Sequence, residues 1–289
     1  LALFADLMVI GEAEAVLPEL LPALTELTDR RSLPDIGALI PGCYVPSAFT
    51  FSYDSDGRVR EISVSGGLPQ QIRRVFLQKN KSAVAAHSEL LSPEAELGMY
   101  MTELGRGCSR GCRFCAAGFI YRPPRLWSAE SILDSLARLP SDHDRVGLLG
   151  MEMAAPELLD RIAAFLQTNA CSLSFSSLRA DRISPTLLEL LSGSGLKSVA
   201  IAPDGCSERL RRVINKGLSE DDLLAAAVAL AQAGISTLKL YVMVGLPTES
   251  EKDLEEFVCL VQKIRQAIFP VGKKRPPLRT DSFREFFCS

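Results

Sequence analysis

Short apolar runs alternating with amphipathic stretches fill the chain after Gly98, and they predict alternating strands and helices. The runs at 99–104, 146–149, 172–176, 198–202 and 237–244 have strand length and the near-continuous apolar character of a parallel sheet covered on both faces. Helix punctuation falls between them. Ser184 precedes Pro185 and that helix stops at Gly193 and Gly195; Ser219 and Asp222 have capping-box spacing, with Gly234 as the stop; Ser250 and Asp253 open the next helix. Five successive strand–helix units predict an α/β barrel or an open α/β sheet, with right-handed crossovers.

Upstream the texture differs. Residues 7–10 read as a strand, followed by a Gly11-Glu12 turn and an apolar helix with Leu17, Leu20, Leu21 and Leu24 at helical spacing. Residues 50–53 and 59–64 flank Asp54-Ser55-Asp56-Gly57, a hairpin signal. Residues 69–97 mix turn residues and charge with little periodicity and read as linker. Beyond 269 the composition turns to Gly, Pro, Lys and Arg, closing on Phe283-Arg-Glu-Phe-Phe-Cys-Ser, and no sixth strand is visible. The resulting division is 1–30, a linker with a hairpin at 31–97, a strand–helix core at 98–268 and an irregular tail at 269–289.

Composition narrows the class. With 289 residues, 47% hydrophobic and 23% charged, the chain suits one large or two smaller globular domains. A net charge of −3 gives no bulk reason to expect nucleic acid as partner. No apolar run reaches membrane-spanning length, the longest being 223–233, and no secretory signal is read at the start. The 8 cysteines are too sparse for a disulfide scaffold, so a reducing, cytoplasmic location is expected. Cys43, Cys171, Cys206, Cys259 and Cys288 stand singly and read as small buried hydrophobes.

Cys108, Cys112 and Cys115 are different. They occupy one glycine-rich loop at C-x3-C-x2-C spacing, directly after the first strand of the series. In α/β folds ligands collect at the C-terminal ends of strands. Three thiolates can hold three corners of a 4Fe–4S cube and leave one iron open to a small molecule. Zinc would need a fourth ligand, and His87 and His143 lie far off in sequence; a thioredoxin-like pair would leave Cys108 without a role. Arg106, Arg110, Arg113, Arg122 and Arg125, with no acid between them, would favour thiolates and offset an anionic cluster. Phe114, between two of the cysteines, would shield it. Arg212 and Lys216 read as helix-surface charges, with facing an anionic substrate as the alternative.

At this point the chain resembles the radical S-adenosylmethionine (SAM) superfamily. The loop 111–123, Ser176-Ser-Leu-Arg-Ala-Asp181, the run 205–217 and Gly245-Leu-Pro-Thr-Glu249 are similar to the branch joining this barrel to an N-terminal cobalamin-binding domain, with methylthiotransferases and cobalamin-dependent methylases among its members. The resemblance implies an α/β fold: a partial (β/α)6 radical SAM barrel of five βα units lacking its last strand, with residues 1–30 a remnant of the cobalamin-binding-type domain. It implies a 4Fe–4S cluster on Cys108, Cys112 and Cys115, SAM on the open iron, and reductive cleavage to a 5′-deoxyadenosyl radical. Gly150 and Glu152 would receive the methionyl amine, Ser177 and Arg179 the carboxylate or ribose, Asp204 the ribose and Gly245 the adenine. No Asp-x-His-x-x-Gly motif occurs, so cobalamin binding by this chain is not expected. The electron donor would be a small molecule or a flavodoxin- or ferredoxin-type reductant, and the substrate stays open. Two other readings stand beside this one: a non-catalytic cysteine-ligated metal or iron–sulfur module, and an RNA methyl or methylthio transferase.

Overall fold

The computed structural model describes residues 2–77, 84–92, 94–95, 97–150 and 155–269. The chain divides into two compact units, 1–83 and 84–289.

In the first unit, β1 (Met8–Val9) leads through α1 (Leu17–Thr25) and α2 (Leu33–Leu39) to β2 (Cys43–Tyr44), which pairs antiparallel with β1. Then β3 (Phe49–Tyr53) and β4 (Val59–Val64) form the expected hairpin, with Phe51 opposite Ile62. Asp54 makes its turn: the side chain accepts from the N–H groups of Asp56 and Arg58 at 3.0 and 2.8 Å. The helix α2 falls where only linker is expected. Its start carries Pro34 and Asp35, both suited to a first helical turn, but a seven-residue helix shows too little periodicity to read. Two small apolar groups hold this unit, one around Val16, Leu20, Ile40 and Cys43, the other around Leu33, Val45, Ala48 and Leu68.

The second unit runs β5 (Tyr100–Glu103), β6 (Gly105–Arg106), α3 (Ala117–Ile120), β7 (Arg125–Leu126), α4 (Ala129–Leu136), β8 (Arg145–Leu149), α5 (Pro156–Thr168), β9 (Ser172–Phe175), α6 (Pro185–Gly193), β10 (Ser198–Asp204), α7 (Glu208–Val213), α8 (Glu220–Gln232), β11 (Thr237–Val242) and α9 (Glu251–Ile268). Strands β5, β8 and β9 pair in parallel, as do β10 and β11. The chain just after β9 joins the two groups, since Leu178 bridges Ile201 in parallel. Five parallel strands thus follow one another in sequence order, each at its expected place.

Along β5, residues 86–88 pair antiparallel: Ser88 N–H donates to the Met101 carbonyl and Glu103 N–H to the Ala86 carbonyl, both at 2.9 Å. This part of the expected linker therefore covers a sheet edge. One face of the sheet, with Val146, Leu148, Leu173, Val199 and Ile201, packs on helix residues Ile132, Leu159, Ile162, Leu187, Leu223 and Leu260. The alternate positions, including Ser174, Ala200, Ala202, Lys239 and Tyr241, remain half-buried or exposed. The helix starts are built as read. Ser184 accepts from Leu187 N–H, and Ser219 and Asp222 close a capping box. Among the described residues no helix is long and apolar enough to cross a membrane. The expected tail, from 270 onward, lies outside the described residues.

Candidate cluster and cofactor site

The cysteine loop leaves the C-terminal end of β5 and is closed at its neck by β6 pairing antiparallel with β7. At Gly107 φ is +91°, and a Cβ there would meet the Tyr121 carbonyl oxygen at 2.1 Å, so glycine alone lets the two sides of the neck approach. Inside the loop the Arg110 N–H reaches Cys108 Sγ at 3.4 Å, and Cys115 N–H donates to the Cys112 carbonyl at 3.1 Å. Cys112 is buried, while Cys108 and Cys115 are half-buried. Burial pushes the Cys112 thiol up, and the charges of Lys216 and Arg179 pull it back.

The loop arginines have partners of their own. Arg110 pairs with Asp181 at 3.0 Å and Arg106 with Glu103 at 2.8 Å. Arg122 donates to the carbonyls of Ser109 and Arg110, and Arg113 to that of Val213. A guanidinium has five N–H groups and no acceptor, so unpaired backbone carbonyls in an irregular loop are its natural partners. These side chains brace the loop. Asn215 Nδ2 donating to the Gly111 carbonyl at 2.8 Å ties it to the segment after α7.

That segment holds the main correction to the sequence reading. Lys216 is not a helix-surface charge. The helix α7 ends at Val213, Asn215 and Gly217 take φ of +55° and +66°, and the chain folds back so that Lys216 is 8% exposed. Its Nζ donates to Asp204 Oδ2 at 2.5 Å and lies 6.0 Å from the centroid of the Phe114 ring. Arg212, by contrast, is exposed and pairs with Glu208 on its own helix.

Asp204 stands at the end of β10 in the left-handed region, φ +62°. Burial raises its pKa, and the hydrogen bond and charge of Lys216, then the charge of Arg179, offset part of that rise. Arg179 is already engaged: it donates to both oxygens of Asp181 at 2.9 and 3.2 Å and to the Lys216 carbonyl at 3.0 Å. Burial opposes the Asp181 carboxylate, but Arg179 and then Arg110 outweigh it and hold its pKa below the usual range. Ser177 is exposed beyond β9, and Gly150 half-buried after β8. Glu152 lies outside the described residues. Gly245, φ +84°, opens a turn whose amides at 245 and 246 donate to Glu249 at 3.1 and 3.3 Å. Phe114 is 43% exposed at the mouth of the loop.

The structure thus brings together Cys112, Phe114, Arg179, Asp204 and Lys216. Sequence reading named Lys216 but favoured a surface charge, missing its burial against Asp204, although Asn-x-Gly directly after a helix signals a stop. Two single residues also need comment. Cys259 is exposed rather than buried, whereas Cys43, Cys171 and Cys206 are buried. His87 Nδ1 lies 2.7 Å from the Ala85 carbonyl and His143 Nδ1 2.9 Å from Asp142.

For a metal group, the donor set decides the fit. Among the described residues no three or more His, Cys, Asp and Glu side chains form a set that could hold one metal ion. Thiolates that grip separate irons of a cube stand further apart than ligands of a single ion. A soft, three-thiol loop with backbone N–H near a sulfur, at a strand end, suits an iron–sulfur cube.

Parallel strands with a three-cysteine loop at their C-terminal edge define the class, an α/β fold with its thiols at the edge where ligands collect. The chain belongs to the radical SAM superfamily: the superfamily profile matches residues 102–261, more than half of the chain. An uncharacterized protein of Methanocaldococcus jannaschii is 36% identical over 189 residues, covering 62% of this chain and 41% of that protein. The methyltransferase TsrM from Kitasatospora setae, described as a radical SAM enzyme with cobalamin and a 4Fe–4S cluster bound, matches with a TM-score of 0.61 at 18% identity, over 90% of this chain and 49% of its own. OxsB, described as a cobalamin-dependent SAM radical enzyme, matches with a TM-score of 0.54 at 18% identity, over 88% of this chain and 36% of its own. Both matches exceed what the second unit alone supplies, so the likeness of fold extends into the first. The chain spans less than half the length of each of these three proteins.

Proposed function

We propose that this chain is the core of an enzyme that cleaves SAM reductively to begin radical chemistry on a further substrate. The observation that carries this reading is the convergence of the three-cysteine loop, Phe114 and the buried Lys216–Asp204 pair at the C-terminal ends of parallel strands. Cys108, Cys112 and Cys115 are the residues that would hold a 4Fe–4S cluster and leave one iron for the methionyl amine and carboxylate; such a cluster would supply the single electron that splits SAM into methionine and a 5′-deoxyadenosyl radical.

Lys216 and Arg179 are the two cations beside the cysteine loop that can meet the carboxylate, Lys216 from its pair with Asp204 and Arg179 through its Nη1, since its Nε and Nη2 serve Asp181 and a carbonyl. Asp204 accepts from the ribose, with Ser177 beside it at the neighbouring strand end. Gly150 receives the amine, the same role is assigned from the sequence to Glu152, which lies outside the described residues, and the 245–249 turn receives the adenine. Phe114, in the loop between two of the cysteines, would shield a bound cluster. These contacts position SAM and exclude water, and the cofactors carry the chemistry.

The electron comes from a low-potential donor, either a small molecule or a flavodoxin- or ferredoxin-type protein. TsrM and OxsB use cobalamin, but His87 and His143 lie outside any cobalt-binding motif, so no cobalamin ligand is assigned here. The RNA-directed reading has less support, since Arg113 and Arg122, although exposed, donate to the carbonyls of Val213, Ser109 and Arg110.

The test is anaerobic reconstitution with iron and sulfide, followed by assay for 5′-deoxyadenosine with SAM and dithionite. The expected result is reductant-dependent 5′-deoxyadenosine from cluster-loaded protein. Fully loaded protein that yields none contradicts the proposal.

A further inference from the structure

Two loops at the C-terminal edge of the sheet, 205–207 and 245–250, are locked to each other through one carboxylate. Asp253, buried in the first turn of α9, accepts from Ser250 N–H at 2.8 Å and Ser250 Oγ at 2.7 Å, at the start of its own helix. It also accepts from Ser207 Oγ, the N-cap of α7, at 2.5 Å, and from Arg209 Nε and Nη2 at 3.1 and 2.5 Å. Arg209 then turns outward to the 245–249 turn, donating from Nη2 to the Thr248 carbonyl at 2.8 Å and from Nη1 to Thr248 Oγ1 at 3.2 Å.

Thr248 needs such a hold. Its φ of +69° is a conformation that β-branched residues rarely adopt. Glu249 fixes the opposite side of the same turn through the amides of Gly245 and Leu246. The peptide planes of the turn are therefore set from both ends, one by a carboxylate within the turn, the other by a guanidinium reaching across from α7.

Holding the helices is not a sufficient role for Arg209. Asp253 has both partners of its own capping box without it, and the α7 start is capped by Ser207 donating to that same carboxylate while accepting from Leu210 N–H. The Arg209 side chain is 48% exposed, so it fills no core space.

We propose that Arg209, anchored by Asp253, is a positioning residue that fixes the 245–249 turn for the nucleoside half of SAM. This rests on the assignment of that turn to adenine in the preceding subsection. A guanidinium holds a carboxylate and a carbonyl at once with a rigid fork of five charged N–H donors, where a glutamine amide offers two neutral ones.

The test compares R209Q and R209K with the unaltered, anaerobically reconstituted protein, titrating each with SAM and, separately, with methionine, and reading the cluster's spectrum. Methionine carries the amine and carboxylate but no nucleoside. The expected result is SAM binding weakened about tenfold in R209Q, the loss expected from removing one charge-assisted hydrogen bond, with methionine binding unchanged and partial recovery in R209K. Equal weakening of both ligands, or no weakening of either, overturns the positioning role while leaving SAM binding by the protein intact. An unaltered protein whose spectrum responds to methionine and not to SAM overturns the assignment of the turn, and the clamp with it. Thermal unfolding of R209Q is measured alongside, and a collapse of the fold that removes both responses also counts against the proposal.

Discussion

At the scale of single residues, the site depends on how two buried charges meet. The side chains of Lys216 and Asp204 are 9% and 15% exposed, so neither is well solvated and each needs the other. Breaking such a pair by removing one partner costs about 3–5 kcal/mol, while replacing both with neutral groups is close to neutral. Lys216→Met alone should therefore destabilise the second unit by about that amount, and adding Asp204→Asn should recover most of it. The double variant should still load its cluster but lose SAM binding by about tenfold or more. Urea unfolding and SAM titration separate the two roles; a double variant that binds SAM normally would show that Lys216 serves packing alone.

Asp253 supplies a second residue-scale prediction. The hydrogen bond from Arg209, then those from the Ser207 and Ser250 hydroxyls, hold its pKa far below the usual carboxylate value of 3.8. A depressed carboxylate adds stability that is complete above that ordinary value and is lost as pH falls through the folded-state value. Asp253→Asn should lower the urea midpoint at pH 7, and its difference from the unaltered protein should shrink once the pH drops below about 4. A difference that stays constant across that range would mean the ion pair contributes nothing. Cys206 behaves oppositely: burial pushes its thiol up to about 11, which fits a buried small hydrophobe rather than a reactive group.

Among elements, the five parallel strands and the helix caps were legible because each is local. An apolar run with turn residues at both ends, or a Ser-x-x-Asp start, needs nothing remote to be read. What stayed hidden depends on partners distant in sequence. The pairing of 86–88 along β5, and the Arg113 and Asn215 bonds that join the cysteine loop to the end of α7, leave no periodic trace. The end of α7 was legible in principle, since Asn215 and Gly217 mark a stop, but the helical spacing of Leu210, Val213 and Ile214 draws the eye onward. Gly217 has open space around a would-be Cβ, so Gly217→Ala meets only the backbone cost of a left-handed residue, about 1 kcal/mol. That small loss, read by thermal unfolding, should come with weaker SAM binding, because this turn aims Lys216; unchanged binding would separate the turn from the site.

For the molecule as a whole, superfamily membership supports radical chemistry begun from SAM, whereas what would receive the radical is decided by groups that fold alone does not specify. The sequence showed the cysteine loop at a strand end, and the structure supplied what that position implies: a half-buried set of thiols, an aromatic at their mouth and an ion pair beside them. The central claim is that three protein thiolates hold a four-iron cube and leave one iron for SAM. Mössbauer spectra of the anaerobically reconstituted protein, recorded with and without SAM, test it most directly. One iron of the four should change its signal when SAM is added, while the other three stay constant. A cluster whose four irons are all indifferent to SAM, or one closed by a fourth protein side chain, would contradict the account.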